Sequence, residues 1–169
     1  MAAGSVPWRE ISIQAEVFVL RMAPAGPVLA GPFGTDPWYI ALREGDDPAE
    51  VVRGLATTFF GEPLLLHSTS WRRVQRSVIL SFIVLAPADE TLKLPGVPVR
   101  RAELARGSAT SSPSAITPAQ VLEHGLRHLA WLLADDDVVR SSLSDEWKRA
   151  LEGYVAEPFR HLVYRAKEP

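Results

Sequence analysis

Three groups of side chains in this 169-residue sequence have the types and spacing to do chemistry. The densest is Trp71-Arg72-Arg73-Val74-Gln75-Arg76. An indole can stack on a base, and guanidinium forks hold phosphate oxygens bidentately. Trp71, Arg72, Arg73 and Arg76 are therefore candidate ligand contacts. The competing reading is a solvated hairpin between two strands, with Trp71 packed at its edge. The second group is Glu44, Asp46 and Glu50. Hard divalent cations such as Mg²⁺ take carboxylate oxygens, so these acids form an alternative metal set, against loop acids and a helix cap. The third is His124 and His128, four residues apart and so on one helix face, which could hold zinc if a third ligand approached. There is no His-Glu-x-x-His pattern and no third ligand stands out, so a polar helix face shared with Arg127 is the preferred reading.

Other chemistries are excluded by what is missing. The chain has no cysteine, hence no thiol nucleophile, thiolate metal site or disulfide. It lacks a G-x-S-x-G elbow, a G-x-x-x-x-G-K-[ST] loop and a G-x-G-x-x-G turn. A net charge of −2 argues against a generally basic nucleic-acid binder. Of the 18 basic residues only Lys93, Lys148 and Lys167 are lysine, which reads first as codon usage and second as selection for phosphate-binding arginine. No apolar run approaches the roughly 18 residues of a membrane span, and the first ten residues lack the pattern of a secretory signal. A single cytoplasmic domain over residues 1–169 is expected.

These residues need elements to hold them. Residues 11–21 alternate as a strand, with Ile11, Ile13, Ala15, Val17 and Val19 on one side and Ser12, Gln14 and Glu16 on a polar side. Short strands are expected at 28–30 and 38–42. A helix over 48–60 is punctuated by Asp47 as N-cap, Pro48 at N1, Glu50 closing a capping box and Gly61 at the end, with Val51, Val52, Leu55 and Phe59 as its core stripe. Strands follow at 63–70 and 75–86, the second apolar enough to be buried on both faces, and a short one near 97–100. Residues 105–116 are Ser-rich and expected to be a mobile loop. Residues 117–169 are expected to be a helical C-terminal segment. Thr117-Pro118-Ala119-Gln120 opens a helix running to about Ala134, where Asp135-Asp136-Asp137 opposes the helix dipole, and another helix runs from Ser144 to Pro158. The order suggests an α/β fold with a mixed sheet between helices.

The run from Trp38-Tyr39-Ile40-Ala41-Leu42 through Arg43-Glu44-Gly45-Asp46-Asp47-Pro48-Ala49-Glu50 to Arg53 and Gly61 resembles the loop and helix of the Nudix family. So do the preceding hairpin, the following strand pair and the late Val99-Arg100-Arg101-Ala102-Glu103-Leu104. The resemblance covers roughly residues 11–134 and rests more on element order than on identities. It implies a Nudix-like α/β/α sandwich with added C-terminal helices. It also implies a metal-dependent diphosphate hydrolase, whose metal is held by glutamates of an Arg-Glu-x-x-Glu-Glu core. Those glutamates are missing. Aligning Gly61 with the family's late glycine puts Leu55, Thr58 and Phe59 at the three positions. Aligning Arg53 with the family's arginine puts Gly54, Thr57 and Thr58 there, and this register is preferred because Leu55 then fills the buried apolar position. Neither supplies a carboxylate, and a metal that must neutralise a diphosphate cannot be held without them.

The resulting expectation is a catalytically degenerate Nudix-like protein with no cofactor, binding a nucleotide-like or other phosphorylated small molecule in a regulatory or accessory role. Arg53 joins Trp71, Arg72, Arg73 and Arg76 as a ligand contact. The alternatives are a Mg²⁺-dependent hydrolase with acids relocated to Glu44, Asp46 and Glu50, and a homodimeric interaction module assembled through apolar helix surfaces near Trp131.

Overall fold

The chain orders as β1 (Ser12–Ala23), β2 (Gly26–Leu29), β3 (Trp38–Leu42), α1 (Pro48–Phe60), β4 (Leu65–Val74), β5 (Ser77–Leu85), β6 (Val97–Pro98), α2 (Pro118–Asp135), α3 (Asp137–Ser142) and α4 (Asp145–Glu152). The computed structural model describes residues 11–34, 36–88, 96–104 and 115–156. The expected loop at 105–116 falls, apart from its last two residues, outside the described residues, as does the tail beyond 156.

β1 organises a six-stranded mixed sheet. On one flank it runs parallel to β5, from Ser12 opposite Ser77 to Leu20 opposite Leu85. Its other flank is divided: β3 pairs antiparallel with residues 13–17 and β2 with residues 20–23. β4 forms an antiparallel hairpin with β5, and β6 pairs with β2. A parallel neighbour cannot be reached by a tight turn; α1 and β4 provide the crossover.

The sheet is covered on both faces, so the molecule is a mixed α/β layered structure. On one face Ala15, Val17, Val19, Phe82 and Val84 pack against Val52, Ala56 and Phe60 of α1. On the other, Phe18, Leu20, Ile83 and Leu85 pack against Leu122, Leu126 and Leu129 of α2 and Trp147 and Leu151 of α4. This double cover explains why β1 is buried without interruption from Ala15 to Leu20. The expected polar side of the strand survives only in its first residues.

Four expectations need correction. The buried stripe of α1 is Val52, Ala56 and Phe60, an i, i+4, i+8 row, not one centred on Val51, Leu55 and Phe59. Small Ala56 lets the helix sit close to the sheet, while half-exposed Phe59 lies on the Trp38 ring at a centroid distance of 5.0 Å. Glu50 does not close a capping box; Asp47 alone caps α1, accepting from the Ala49 and Glu50 amides. At α2 the box is complete between Thr117 and Gln120. The Trp71–Arg76 segment is mostly strand: β4 continues to Val74, and only Gln75 and Arg76 form the turn, with Gln75 at φ +52°. Lastly, the aspartate triplet starts a helix as well as ending one. Asp136 closes α2 and caps α3, accepting from the Val138 and Val139 amides, so its charge serves the positive end of the next dipole.

Candidate functional site

The alternation of β1 put Glu16 on the polar face at the start of the strand. It is instead fully buried. The sheet register puts it between Ser81 of β5 and Tyr39 of β3, and Arg72 reaches it from β4. Arg72 donates from Nη1 to Oε2 at 2.6 Å and from Nη2 to Oε1 at 2.7 Å. Ser81 Oγ donates to Oε2 at 3.0 Å, and the Tyr39 hydroxyl to Oε1 at 2.9 Å. Four donated bonds fill the lone pairs of the carboxylate, so it has no position left for a substrate proton. Burial, then the Glu16 charge, pushes the Tyr39 hydroxyl up to about 12, and the bond to Glu16 raises Arg72. Both remain protonated donors at neutral pH. The group is a tie across three neighbouring strands plus β3, and Arg72 is spent on it.

The other members of the arginine cluster diverge from Arg72. Trp71 pairs across the hairpin with Leu80 and Arg73 with Val78, whereas Arg72 pairs with Ile79. Because side chains alternate between faces, Trp71 and Arg73 lie on the α1 side of the sheet and Arg72 on the α2 side. Arg73 Nε donates to the Gln75 carbonyl at 3.1 Å. Arg76 sits exposed in the turn, and Trp71 is 69% exposed, not packed at the edge. Arg53, on the exposed side of α1, pairs with Glu62 at 2.6 Å and approaches Glu50 at 3.8 Å. Thr57 Oγ1 donates to the same Glu62 at 3.3 Å.

Gly54, Thr57 and Thr58, which the preferred register of the resemblance sets at the glutamate positions, are exposed on α1, and the Thr58 hydroxyl folds back onto the Gly54 carbonyl at 2.7 Å. Leu55 is half-buried against the α1-side core. Of the alternative acids, Asp46 accepts from the Arg43 amide at 2.7 Å and Glu50 leans toward Arg53. Among the described residues no three His, Asp or Glu side chains gather to hold a metal ion. Gly54, Thr57 and Thr58 themselves offer hydroxyl and carbonyl oxygens and no carboxylate.

The histidine pair is also placed differently from expectation. His128 is buried, facing His67 of β4 at a ring distance of 4.8 Å and stacked on Trp131 at 5.5 Å. Burial, followed by the His67 and His124 charges, lowers His128 to about 4, and burial lowers His67. Both rings are neutral at pH 7, and together they form a contact between sheet and helix. Gly125 makes that contact close: a Cβ there would meet Ile83 Cδ1 at 2.3 Å.

A second buried carboxylate, Glu123 on α2, was not singled out by sequence. Arg101 holds both its oxygens, at 3.0 and 3.1 Å, Arg127 donates at 2.8 Å and the Ala102 amide at 3.2 Å. Burial favours the protonated acid, but these donors outweigh it and hold Glu123 below the ordinary carboxylate value. Arg101 also donates to the Gly153 carbonyl at 2.6 Å and lies over the Tyr154 ring at 4.0 Å. The only sequence hint was the i, i+4 spacing of Glu123 and Arg127.

Clefts open at two places among the described residues. One, of about 380 Å³, is mostly apolar, between Phe18, Leu29, Val97, Val99 and Leu122, with Arg100 in its wall. The other, of about 850 Å³, lies between the β1–β2 hairpin and α4, with Arg21, Glu146 and Arg149 among its walls. No helix among the described residues is long and apolar enough to cross a membrane. Compared with known proteins, the chain matches no family model and no curated sequence. The class defined by fold and site is thus a mixed α/β protein with helices on both sheet faces, whose buried acids are committed to arginines.

Proposed function

We propose that this chain is a non-hydrolytic protein of Nudix-like architecture that acts by binding a phosphorylated or nucleotide-like small molecule in a regulatory or accessory role. The observation carrying the reading is the exposed side of α1, where Gly54, Thr57 and Thr58 stand in place of metal-binding carboxylates. Phosphoanhydride hydrolysis at that place needs a divalent cation to neutralise developing charge, and these groups offer at most hydroxyl oxygens. The two buried glutamates do not replace them, since each is saturated by donors.

The test has two arms. Purified protein incubated with a diphosphate panel and Mg²⁺ or Mn²⁺ should release neither phosphate nor nucleoside monophosphate, and metal-dependent turnover would overturn the reading. In thermal shift, at least one nucleotide-like compound should raise the melting temperature, because a ligand that binds only the native state stabilises it. The relocated-acid reading predicts turnover abolished by replacing Glu44, Asp46 and Glu50. A homodimer is favoured by one observation away from the helix surface first expected near Trp131: Trp71 and Val74 are exposed apolar residues on β4, an edge strand. Such edges invite pairing with another chain, and light scattering after gel filtration decides it.

A further inference from the structure

His67 of β4 and His128 of α2 meet edge to face in the seam between the sheet and α2, with ring centres 4.8 Å apart. We infer that the two rings form an acid-sensitive latch. When they take up protons, the C-terminal half of α2 lifts off β4, while its N-terminal half stays tied through Glu123 to the segment after β6. The latch is independent of whether the protein binds a phosphorylated ligand.

The closed seam is built for neutral rings. His128 is buried and stacks on Trp131, and His67 Nε2 is buried without a hydrogen-bond partner. One turn earlier, Gly125 sets the helix against Ile83 and Thr69. A proton on either ring puts a desolvated cation into this packing, and a second puts two like charges in contact.

No countercharge faces the pair. β4 and β5 carry no acid. The acids of α2 are Glu123, engaged by Arg101 and Arg127, and Asp135, about 10 Å further along the axis at the exposed helix end. Those of α3 and α4, Asp137, Asp145, Glu146 and Glu152, are exposed to water. Of the basic groups, His67 and His124 repel a protonated His128, while Arg72 is paired with Glu16 and Arg127 with Glu123.

The two halves of α2 differ in how acid reaches them. Its donors hold Glu123 below the ordinary carboxylate value, so the N-terminal tie keeps its charge through the range in which a free histidine titrates. His128 is held at about 4 against an ordinary 6.5, so below 6.5 the proton is gained mainly by opening. The C-terminal half is also the weaker attachment, since no side chain of α2 beyond Ala130 is buried. Segments with few buried contacts are where local opening begins.

The experiment is hydrogen exchange of the full chain at pH 7.0 and 4.5, read as protection factors so that the intrinsic pH dependence of exchange cancels. It compares the native protein with His128→Phe, which keeps a ring beside Trp131 but takes no proton. A proton held only by the open form eases opening by up to about tenfold per pH unit. With 6.5 and about 4 as the open and closed values of His128, acid should lower protection of residues 128–140 roughly fifty-fold. Residues 121–124 and β1 should change much less, and in His128→Phe the loss at 128–140 should shrink to their level. A loss spread evenly over α2 and β1, or an equal loss in His128→Phe, overturns the latch. Should the variant not fold, NMR titration of the native rings decides. A His128 ring that stays neutral until residues 128–140 lose protection supports the latch, and one that titrates near 6.5 with the helix closed overturns it.

Discussion

Glu16 and Glu123 are both buried carboxylates neutralised by arginine, yet they solve different problems. Glu16 joins residues already neighbours in the sheet, and its Arg72 partner is itself only 13% exposed. Glu123 joins parts far apart in the sequence: the segment after β6, the middle of α2 and, through Arg101, the chain just beyond α4. Its main partner is half in solvent, with Arg101 49% exposed. The first is a sealed pair in a low-dielectric layer; the second is a clamp with one jaw in water. A sealed pair is costly to break from one side, because the survivor is left charged and desolvated. A clamp with redundant, hydrated donors should fail gradually.

The sharpest break of this comparison is Arg72→Ala. It strands the Glu16 charge beneath the sheet surface with only Ser81 and Tyr39 as donors, and loss of one partner of a buried pair typically costs about 3–5 kcal/mol. Urea denaturation should show it. The control is Glu16→Leu with Arg72→Met, which removes both charges and should recover most of the loss, since a buried pair is often matched by apolar groups of similar size. A double variant no better than Arg72→Ala would mean that the strands depend on the ion pair itself.

Acid should act next most strongly, through the sheet–α2 contact at His128. His128 has its native value lowered from 6.5 to about 4. The unfolded chain therefore binds more protons between these values, so this contribution is complete above pH 6.5 and is lost as the pH falls toward 4. At about 1.4 kcal/mol per pH unit, the loss approaches about 3 kcal/mol. Denaturation midpoints at pH 7.5 and 4.5 measure it, and His128→Phe should flatten the dependence. An equally steep loss in that variant would assign the acid sensitivity elsewhere.

How much of this was legible in the sequence follows from which signals are local. Helix starts were readable because caps are decided within four residues: Asp47-Pro48, Thr117-Pro118 and Ser144 all open helices as expected. β3 was placed to the residue. The burial of Glu16 was not readable, because whether a strand's second side is covered depends on a helix more than a hundred residues away. The same holds for Arg72, which looked like a ligand contact because its partner lies 56 positions earlier. His67 likewise gave no sign that it would meet His128. Side-chain type and spacing located the arginines, but only the register of β4 against β5 showed that Arg72 and Arg73 face opposite ways.

The hydrated clamp is tested by Arg101→Ala. Glu123 keeps Arg127 and the Ala102 amide, and half-exposed Arg101 is screened by water, so the loss should be about 1–2 kcal/mol, mostly from its bonds to Glu123 and Gly153. Hydrogen exchange should localise it. Amides of α4 and the residues after it should lose protection, while those of β1 and β5 should not. The pattern for Arg72→Ala should be the reverse, with β4 affected and α4 spared. If both variants loosen the same amides, the two ties belong to one cooperative unit.

The smallest effect is expected on the outer side of α1, where Arg53 bridges Glu50 and Glu62. This pair has the shortest separation seen at either tie, 2.6 Å, yet both side chains are about half exposed or more. Arg53→Ala should therefore cost only about 0.2–1 kcal/mol, and that cost should shrink in 0.5 M salt as the charges are screened. Distance alone would rank it beside Arg72, whose bond to Glu16 has the same length. Burial separates them, because only desolvated charges lose heavily when a partner is removed. A loss at Arg53 rivalling that at Arg72 would show that α1's outer side is under a constraint that its exposed contacts do not account for.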